Sequence, residues 1–572
     1  MRIKQILIAT FVIASMAAPG RAESKSWVEE FLSRYQPVTA TSESGGPASD
    51  VAEMLQTGTI PIGMNDLINL MLDKNLDIQS NRFSPRSSYY SSLVFYRALQ
   101  PSLRLSATAT RDTTQVTNQT TGLGQNVNSL LRHNFSAGFS QALATGTSLS
   151  VDATLNRNSS NSNTSTFNPS YVSRLTYTIG QHLLRDRGRL PNTRQIQIGQ
   201  NNQKISEINF EIQLTTLLLQ AQKAYWDLFF SAEDLKLKQR SLELAQRTLD
   251  ENQMKVEIGT LAPIDVIQTK ADVATRRDAL VTSTYSVTTA EDQIKKLVSA
   301  EKDPSMFLLK FAPKEQPRQP SSVTVPSLEE AVRIALENRP ELRSAELDLK
   351  NKEIDERYTH NQKLPILDIT GTYNQNGTGG TLIQRGSTLG AEGTRIPGGL
   401  GDAFTRLFGY DYTGFSFGFT FTMPISNKAA EADYDRAVTD RQLSEARMKA
   451  TAQSIMLEVR NALTQVEQSR ARIETAQTSL ELAKNKLDAE QTKFNLGTST
   501  LRFVLEEQRN VAQAETNELQ TRVNFTKSLI DLDKAVGMTL RSNNIELQKA
   551  LNQSAMIQYK PATVSAPAAG QK

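Results

Sequence analysis

The sequence predicts an α+β membrane protein in which one unit, a helix, strands and a long helical hairpin, occurs twice. Three observations carry this. Two long proline-free helical patterns each end in a Gly-Thr pair, Gly259-Thr260 and Gly497-Thr498, and a further helix starts at once. Ahead of each pattern lies a stretch in which apolar and polar residues alternate with a period of 2. The order of elements from Ser327 onward repeats the order before it, at an offset of 264 ahead of the strands and 238 after them.

The chain has 572 residues and no cysteine, so it rests on neither disulfides nor thiolate metal sites. Arg2 and Lys4 precede the apolar run Ile6 to Ala18, and Gly20-Arg21-Ala22 forms a small-residue cleavage site before Glu23. Residues 1–22 are therefore expected to be a cleaved secretory signal. No cysteine follows it that could carry a lipid anchor. Its removal leaves 61 basic against 60 acidic residues, a formal charge of +1, which argues against nucleic acid as a partner. No later segment reaches eighteen continuous apolar residues, which argues against a membrane-spanning helix and leaves a β-barrel open.

Residues 23–61 read as an N-terminal extension, with a short amphipathic patch at Trp27, Phe31 and Tyr35 and a Ser/Gly/Pro-rich linker from Thr39 to Ser49. The first repeat is expected over 62–326. A helix from Ile62 carries Leu67, Leu70, Met71 and Ile78 on one side, with a break expected at Ser84-Pro85 and an end at Pro101. Strands follow over about 101–184: Leu103, Leu105, Ala107 and Ala109 alternate with Arg104, Ser106, Thr108 and Thr110, and Asn134 to Arg157 reads as a hairpin. Polar connections over Thr113 to Asn128 and Ser159 to Pro169, opposed to a tight turn at Ala144-Thr145-Gly146, suit an outer-membrane strand array.

The helical hairpin over about 192–299 has a first limb roughly 100 Å long and a return limb about half that. Such a limb needs lateral partners, coiled-coil fashion. A Pro-containing connector over 300–326 could form a belt around the middle. The second repeat, 327–551, is expected to hold helices over Leu328 to Asn338 and Pro340 to Lys363, strands over about 365–424, and a hairpin over about 428–537. Phe415, Phe417, Phe419 and Phe421 fall on one strand face, after a Gly-rich loop from Gly377 to Gly409, and read as lipid-facing. Residues 552–572 read as a disordered tail.

At the tips, Gly259 and Gly497 supply the left-handed residue that ends a helix. Thr260, Ser499 or Thr500 is placed to N-cap the next, and Pro263 suits a first turn. Tyr225 and Trp226 read as packing. His133, His182 and His360 share no metal-ligand spacing, and no nucleophile and base stand in a catalytic pattern, so neither an enzyme nor a cofactor is expected.

Several stretches resemble the TolC-like outer-membrane efflux protein family. They are Ala224-Tyr225-Trp226-Asp227-Leu228, the two Gly-Thr tips, Ser327-Leu328-Glu329-Glu330-Ala331, Asn338-Arg339-Pro340-Glu341-Leu342 and Phe421-Thr422-Met423-Pro424-Ile425. The resemblance covers nearly all of Ile62 to Leu551. It implies a homotrimer with one shared outer-membrane β-barrel continued by a periplasmic α-helical barrel, serving tripartite efflux or type I secretion with a periplasmic adaptor and an inner-membrane pump. The alternatives are a periplasmic coiled-coil adaptor and a passive porin.

The resemblance also assigns roles at the tips. Gly259, Thr260, Leu261, Ala262, Gly497, Thr498, Ser499 and Thr500 would form the adaptor-docking end, and Asp265, Arg502 and Glu506 the gate. The family links an acid six residues after the first tip glycine to a base two after the second. Asp265 matches the acid, but the second position is Ser499, and the nearest cation is Arg502. Asp265 also suits the positive end of its helix, and Glu506 stands at i, i+4 from Arg502, so both simpler readings stay open. The additional hairpin within residues 134–157 implies either more barrel strands than is usual or a hairpin outside the barrel.

Overall fold

A computed structural model describes residues 59–115, 127–161, 165–259, 261–298, 308–384 and 394–552. The predicted signal, nearly all of the extension, Thr260 and all of the predicted tail but Asn552 lie outside them.

The first repeat opens with β1 (Thr59–Ile62), α1 (Met64–Lys74) and α2 (Leu76–Val94). Strands β2 (Ser102–Gln115), β3 (Val127–Ala142), β4 (Thr147–Ser160) and β5 (Phe167–His182) precede α3 (Arg189–Glu257) and α4 (Pro263–Val298). A connector contains β6 (Lys310–Pro313), parallel to β1. The second repeat holds α5 (Leu328–Asn338), α6 (Pro340–Gln362), β7 (Ile366–Gln384), β8 (Thr394–Ile396), α7 (Leu400–Phe408) and β9 (Thr413–Thr422). It continues with α8 (Lys428–Asn495) and α9 (Leu501–Ala535), and two short helices, Thr539–Ser542 and Leu547–Asn552, follow.

The long helices are apolar along heptad stripes. Ile455, Val459, Ala462, Val466, Ser469 and Ile473 recur at steps of four and three along α8 and are all buried. Leu214, Leu218, Ala221, Tyr225 and Leu228 do the same on α3. At mid-length each stripe meets the short helix of its own repeat. Leu67 and Met71 of α1 and their counterparts Ala331 and Ala335 of α5 are fully buried there. The Tyr225 hydroxyl donates to Ile62 O at 3.3 Å and accepts from the Glu315 N–H at 3.1 Å, which ties the connector to α3. Tyr225 and Trp226 are packing residues in this core.

Between α1 and α2, buried Asn75 accepts from the Ile78 N–H at 2.9 Å and donates to Leu297 O at 2.8 Å. In the second repeat Arg339 occupies the same place and donates to Ala535 O at 3.3 Å and Lys534 O at 3.2 Å. Leu297 and Ala535 are themselves equivalent at the offset of 238. Each junction thus satisfies the last carbonyls of a returning helix and starts a second helix there.

The break expected at Ser84-Pro85 is absent: α2 runs through it. Lateral packing accounts for this, since Pro85 is buried and the Ser84 hydroxyl lies 3.2 Å from that of Ser206 on α3. Gly199 of α3 admits Phe95, whose ring edge would lie 2.7 Å from a Cβ there.

The strands form one antiparallel sheet in the order β2-β3-β4-β5-β7-β9, with β8 pairing the far end of β7. The additional hairpin lies within this sheet, as β3 and β4. The expected loop from Gly377 to Gly409 is partly regular: β7 continues to Gln384 and α7 packs back on the sheet. Its glycines are needed for closeness, because a Cβ on Gly377 would lie 2.0 Å from Ala403 O and one on Gly379 2.4 Å from Gly399 O.

The register separates the two sheet faces. One carries Leu105, Ala137, Ala153, Leu175 and the Phe415 to Phe421 row; the other carries Ser106, Ser136, Thr154, Arg174 and Asn376. Polar cross-strand pairs on the second face include Arg174 to Asn376 at 2.8 Å and His182 to Asp368 at 2.7 Å.

At the second junction, burial alone would raise the Glu458 carboxyl, but hydrogen bonds from Lys534 and Arg339 outweigh it and hold the group below the usual carboxylate range. A lowered folded value contributes stability above the unfolded value, and that contribution fades as pH falls through the folded value. Glu458→Gln is expected to cost about 1–2 kcal/mol at pH 7, discounted for its partial exposure, and progressively less toward pH 3. Thermal unfolding of the two proteins, followed by circular dichroism across that range, checks it; a difference independent of pH counts against the junction argument.

Candidate functional site: the two hairpin tips

Both tips close with a left-handed glycine, Gly259 at φ 75° and Gly497 at φ 79°. At the second, the Gly497 N–H donates to Phe494 O at 3.0 Å and the Thr498 N–H to Lys493 O at 2.9 Å. This pair of bonds is the Schellman arrangement. At the first, the Gly259 N–H donates to Val256 O at 3.0 Å, and Pro263 opens α4.

The predicted caps are used differently. Thr500 stands at the N-cap of α9 with extended backbone, but its hydroxyl makes no cap bond. The Ser499 hydroxyl turns instead to Glu490, and that bond, with Lys493 beside it, holds the Glu490 carboxyl below its ordinary range. Leu261 is half-buried, Ala262 and Thr500 are exposed, and Thr260 is not described.

Asp265 is half-buried, while Arg502 and Glu506 are exposed. Among the described residues none of the three joins an ion pair within the protomer. Within the protomer, neither the Asp265–Arg502 link nor the Arg502–Glu506 pair is made among the described residues.

The charged contact near the tips that the sequence reading missed lies about two turns deeper. Asp272 and Arg276 pair at 2.7 Å on α4 with both side chains nearly buried, and Arg276 also donates to Ser241 on α3. Arg509 of α9 approaches Asp272 at 3.6 Å and so joins the second hairpin to the first. The i, i+4 spacing of Asp272 and Arg276 is visible in the sequence, but many exposed pairs share it; burial distinguishes this one. Asn252 Nδ2, Arg276 Nη2 and Gln508 Oε1 lie buried without a hydrogen-bond partner among the described residues.

This contact ends a polar seam between the repeats. Lys223 meets Asp531 at 2.7 Å, Lys527 meets Asp227, and Thr516 bonds Asp234 at 3.1 Å and Lys238 at 2.9 Å. Val523 and Ile530 of α9 join the apolar core of α3 higher up. From Thr516 to the tip the described side-chain links across the seam are polar pairs and one cation–π contact, Lys255 over the Phe494 ring at 5.6 Å.

Among the described residues no cluster of His, Asp or Glu has the makeup of a metal site. A sheet with one apolar face, joined to helices about 100 Å long, suits a protein of the outer membrane. A family model of outer membrane efflux proteins matches residues 67–300 and 331–538. The chain belongs to that family: it is an outer-membrane efflux protein, and its activity is transport rather than catalysis. Its fold is that of solved outer-membrane channels. It matches OprN at 16% identity over 83% of this chain and 89% of that one, with a TM-score of 0.58. It matches CmeC of Campylobacter jejuni at 15% identity over 95% and 98%, with a TM-score of 0.56. It matches the open state of MtrE of Neisseria gonorrhoeae at 18% identity over 83% and 89%, with a TM-score of 0.53. Among curated proteins no sequence matches the chain.

Replacing Asp272 with Ala leaves the buried Arg276 guanidinium without its counter-charge, at a cost of about 3–5 kcal/mol. Hydrogen exchange read by mass spectrometry is expected to show faster exchange over 263–280, with the Leu214 to Leu228 core unchanged. Equal protection in both proteins would show that the pair does not hold the tip.

Proposed function

We propose that three copies of this chain form one continuous duct, a β-barrel in the outer membrane leading into an α-helical barrel in the periplasm. Residues 62–326 and 327–551 act as its two repeats. A periplasmic adaptor docks on the tips around Gly259 to Ala262 and Gly497 to Thr500 and couples the duct to an inner-membrane pump.

Strand geometry supports the assembly. The six long strands of the seven-stranded sheet end in β2 and β9, which run in opposite directions, so β9 of one protomer can pair antiparallel with β2 of the next. Unpaired edges are not tolerated in hydrocarbon, and a six-stranded barrel would have no lumen. Three protomers give eighteen strands, within the range that leaves an aqueous channel.

The observation that carries the docking reading is apolar exposure at both glycine turns. Ile258 and Leu496, equivalent in the two repeats, are each 74% exposed, and Ile267 and Phe503 are 63% and 51% exposed close by. Solvent-facing apolar residues gathered at a rod's end are a surface awaiting a partner. Asp265, Arg502 and Glu506 lie beside them without partners of their own in the protomer, which suits contacts between protomers at a gate.

Photocrosslinking groups placed at Ile258 and Leu496 in cells are expected to capture the same periplasmic adaptor, and Leu496→Asp to abolish both capture and efflux. Capture lost with efflux intact would remove the tips from the docking role. For the gate, Glu506→Gln is expected to reduce cation preference several-fold in planar bilayers. Unchanged selectivity would remove Glu506 from the pore.

A further inference from the structure

On the apolar face of the sheet, α7 stands over β5 and β7 and leaves a hollow of about 560 Å³ beside it. The floor contains Ala107, Ala137 and Ala153; Phe135, Leu155 and Phe404 wall it. Immediately beyond, toward the strand ends far from the helices, the same face becomes basic. His133, Arg157 and Tyr171 are register partners on β3, β4 and β5, and Arg111 lies one diagonal away on β2. Arg157 Nη1 lies 3.3 Å from His133 Nδ1, and its Nε donates to the Tyr171 hydroxyl at 3.4 Å. The Arg111 Nε donates to the Ser129 hydroxyl at 3.3 Å. Neither arginine meets a carboxylate among the described residues.

We propose that the hollow and the arginines above it bind the phosphorylated glycolipid of the outer leaflet, an acyl chain lying against the three alanines and a phosphate meeting Arg157 and Arg111. The argument is one of position and charge. In the proposed barrel, on which this inference rests, the face that carries the Phe415 to Phe421 row meets lipid and the strand ends far from the helices lie at the outer leaflet. An apolar hollow in that band is filled by lipid tails. Two guanidinium groups without carboxylate partners at its outer rim match a phosphate, which each can hold through paired N–H donors. The glycines of β7 that admit α7, and the β3–β4 hairpin that supplies most of the floor, exist to build this surface as much as to close a barrel.

The test uses the full chain purified in detergent as its native oligomer and native mass spectrometry with lipid A, phosphatidylglycerol or phosphatidylcholine added. The wild type is expected to retain lipid A in preference to the other two. Arg111→Glu combined with Arg157→Glu, and separately Ala153→Trp, should each lower the retained fraction at least fivefold, whereas Asp152→Asn on the opposite face should leave it unchanged. Heat-modifiable migration of the oligomer verifies assembly, and any variant that fails it is replaced by Arg157→Gln or Ala153→Leu. Absence of retained lipid A in the wild type, equal retention by the variants, or phosphatidylglycerol bound as well as lipid A would each overturn the assignment. Loss of adaptor capture at the tips would not bear on it.

Discussion

The rest of the structure depends on the two buried junctions at which a second helix starts beneath the end of a returning one. A helix ends with carbonyls that nothing within it can satisfy, and leaving them buried and unpaired costs more than the net gain of an ordinary hydrogen bond. Asn75 and Arg339 donate to those carbonyls at Leu297 and Ala535. They thereby align α4 with α2 and α9 with α6 into composite rods that run beside α3 and α8. Because α2 and α6 lead directly into β2 and β7, the same junctions determine where the rods hand over to the sheet.

The two repeats solve this problem with different chemistry. The first uses a neutral asparagine under a core that contains Leu67, Met71, Tyr225 and Trp226. The second has only Ala331 and Ala335 where the first has leucine and methionine, and it adds a buried guanidinium held by Glu341 and Glu458. A buried ion cluster stabilises little against a well-packed apolar core, but it is intolerant of losing one member. The second junction is therefore the more sensitive to pH and the first to changes of side-chain volume.

Much of this was legible because helix and strand periods differ so plainly. The heptads of α3 and α8, the Gly-Thr tips, the connector and the Phe415 to Phe421 strand could be read off directly, as could the break at Arg339-Pro340. What escaped depended on neighbours distant in sequence. Pro85 stays inside a helix because α3 braces it, and Gly377 and Gly379 resemble loop residues until α7 is seen packed against them. At the tips, the Schellman turn follows from a glycine after a helix, whereas the choice of Ser499 to bond Glu490 follows from a carboxylate one turn back on the other limb. The Asp272–Arg509 contact joins residues more than 200 positions apart, and no periodicity announces it.

The distribution of apolar and polar contacts along the seam between the repeats says where the rods can part. Above Leu519, α9 is anchored to α3 through Val523 and Ile530, and separating those side chains would cost on the order of 1.5–3 kcal/mol each. Below it the described links are Thr516 with Asp234 and Lys238, Arg509 with Asp272, and the Lys255 ammonium 5.6 Å from the centre of the Phe494 ring. Arg509 is 59% exposed, so its pair contributes about 0–1 kcal/mol. Within the first hairpin, by contrast, the limbs stay joined: Ala245, Leu249 and Val273 form an apolar cluster between α3 and α4 that reaches almost to the tip. The seam is thus strong above and weaker below, while the first hairpin is joined almost to its tip. In the proposed duct, opening is then a splaying of whole hairpins about their apolar upper halves. A partner needs to prefer the open tips by only a few kcal/mol, or about a hundredfold in affinity, to hold them there.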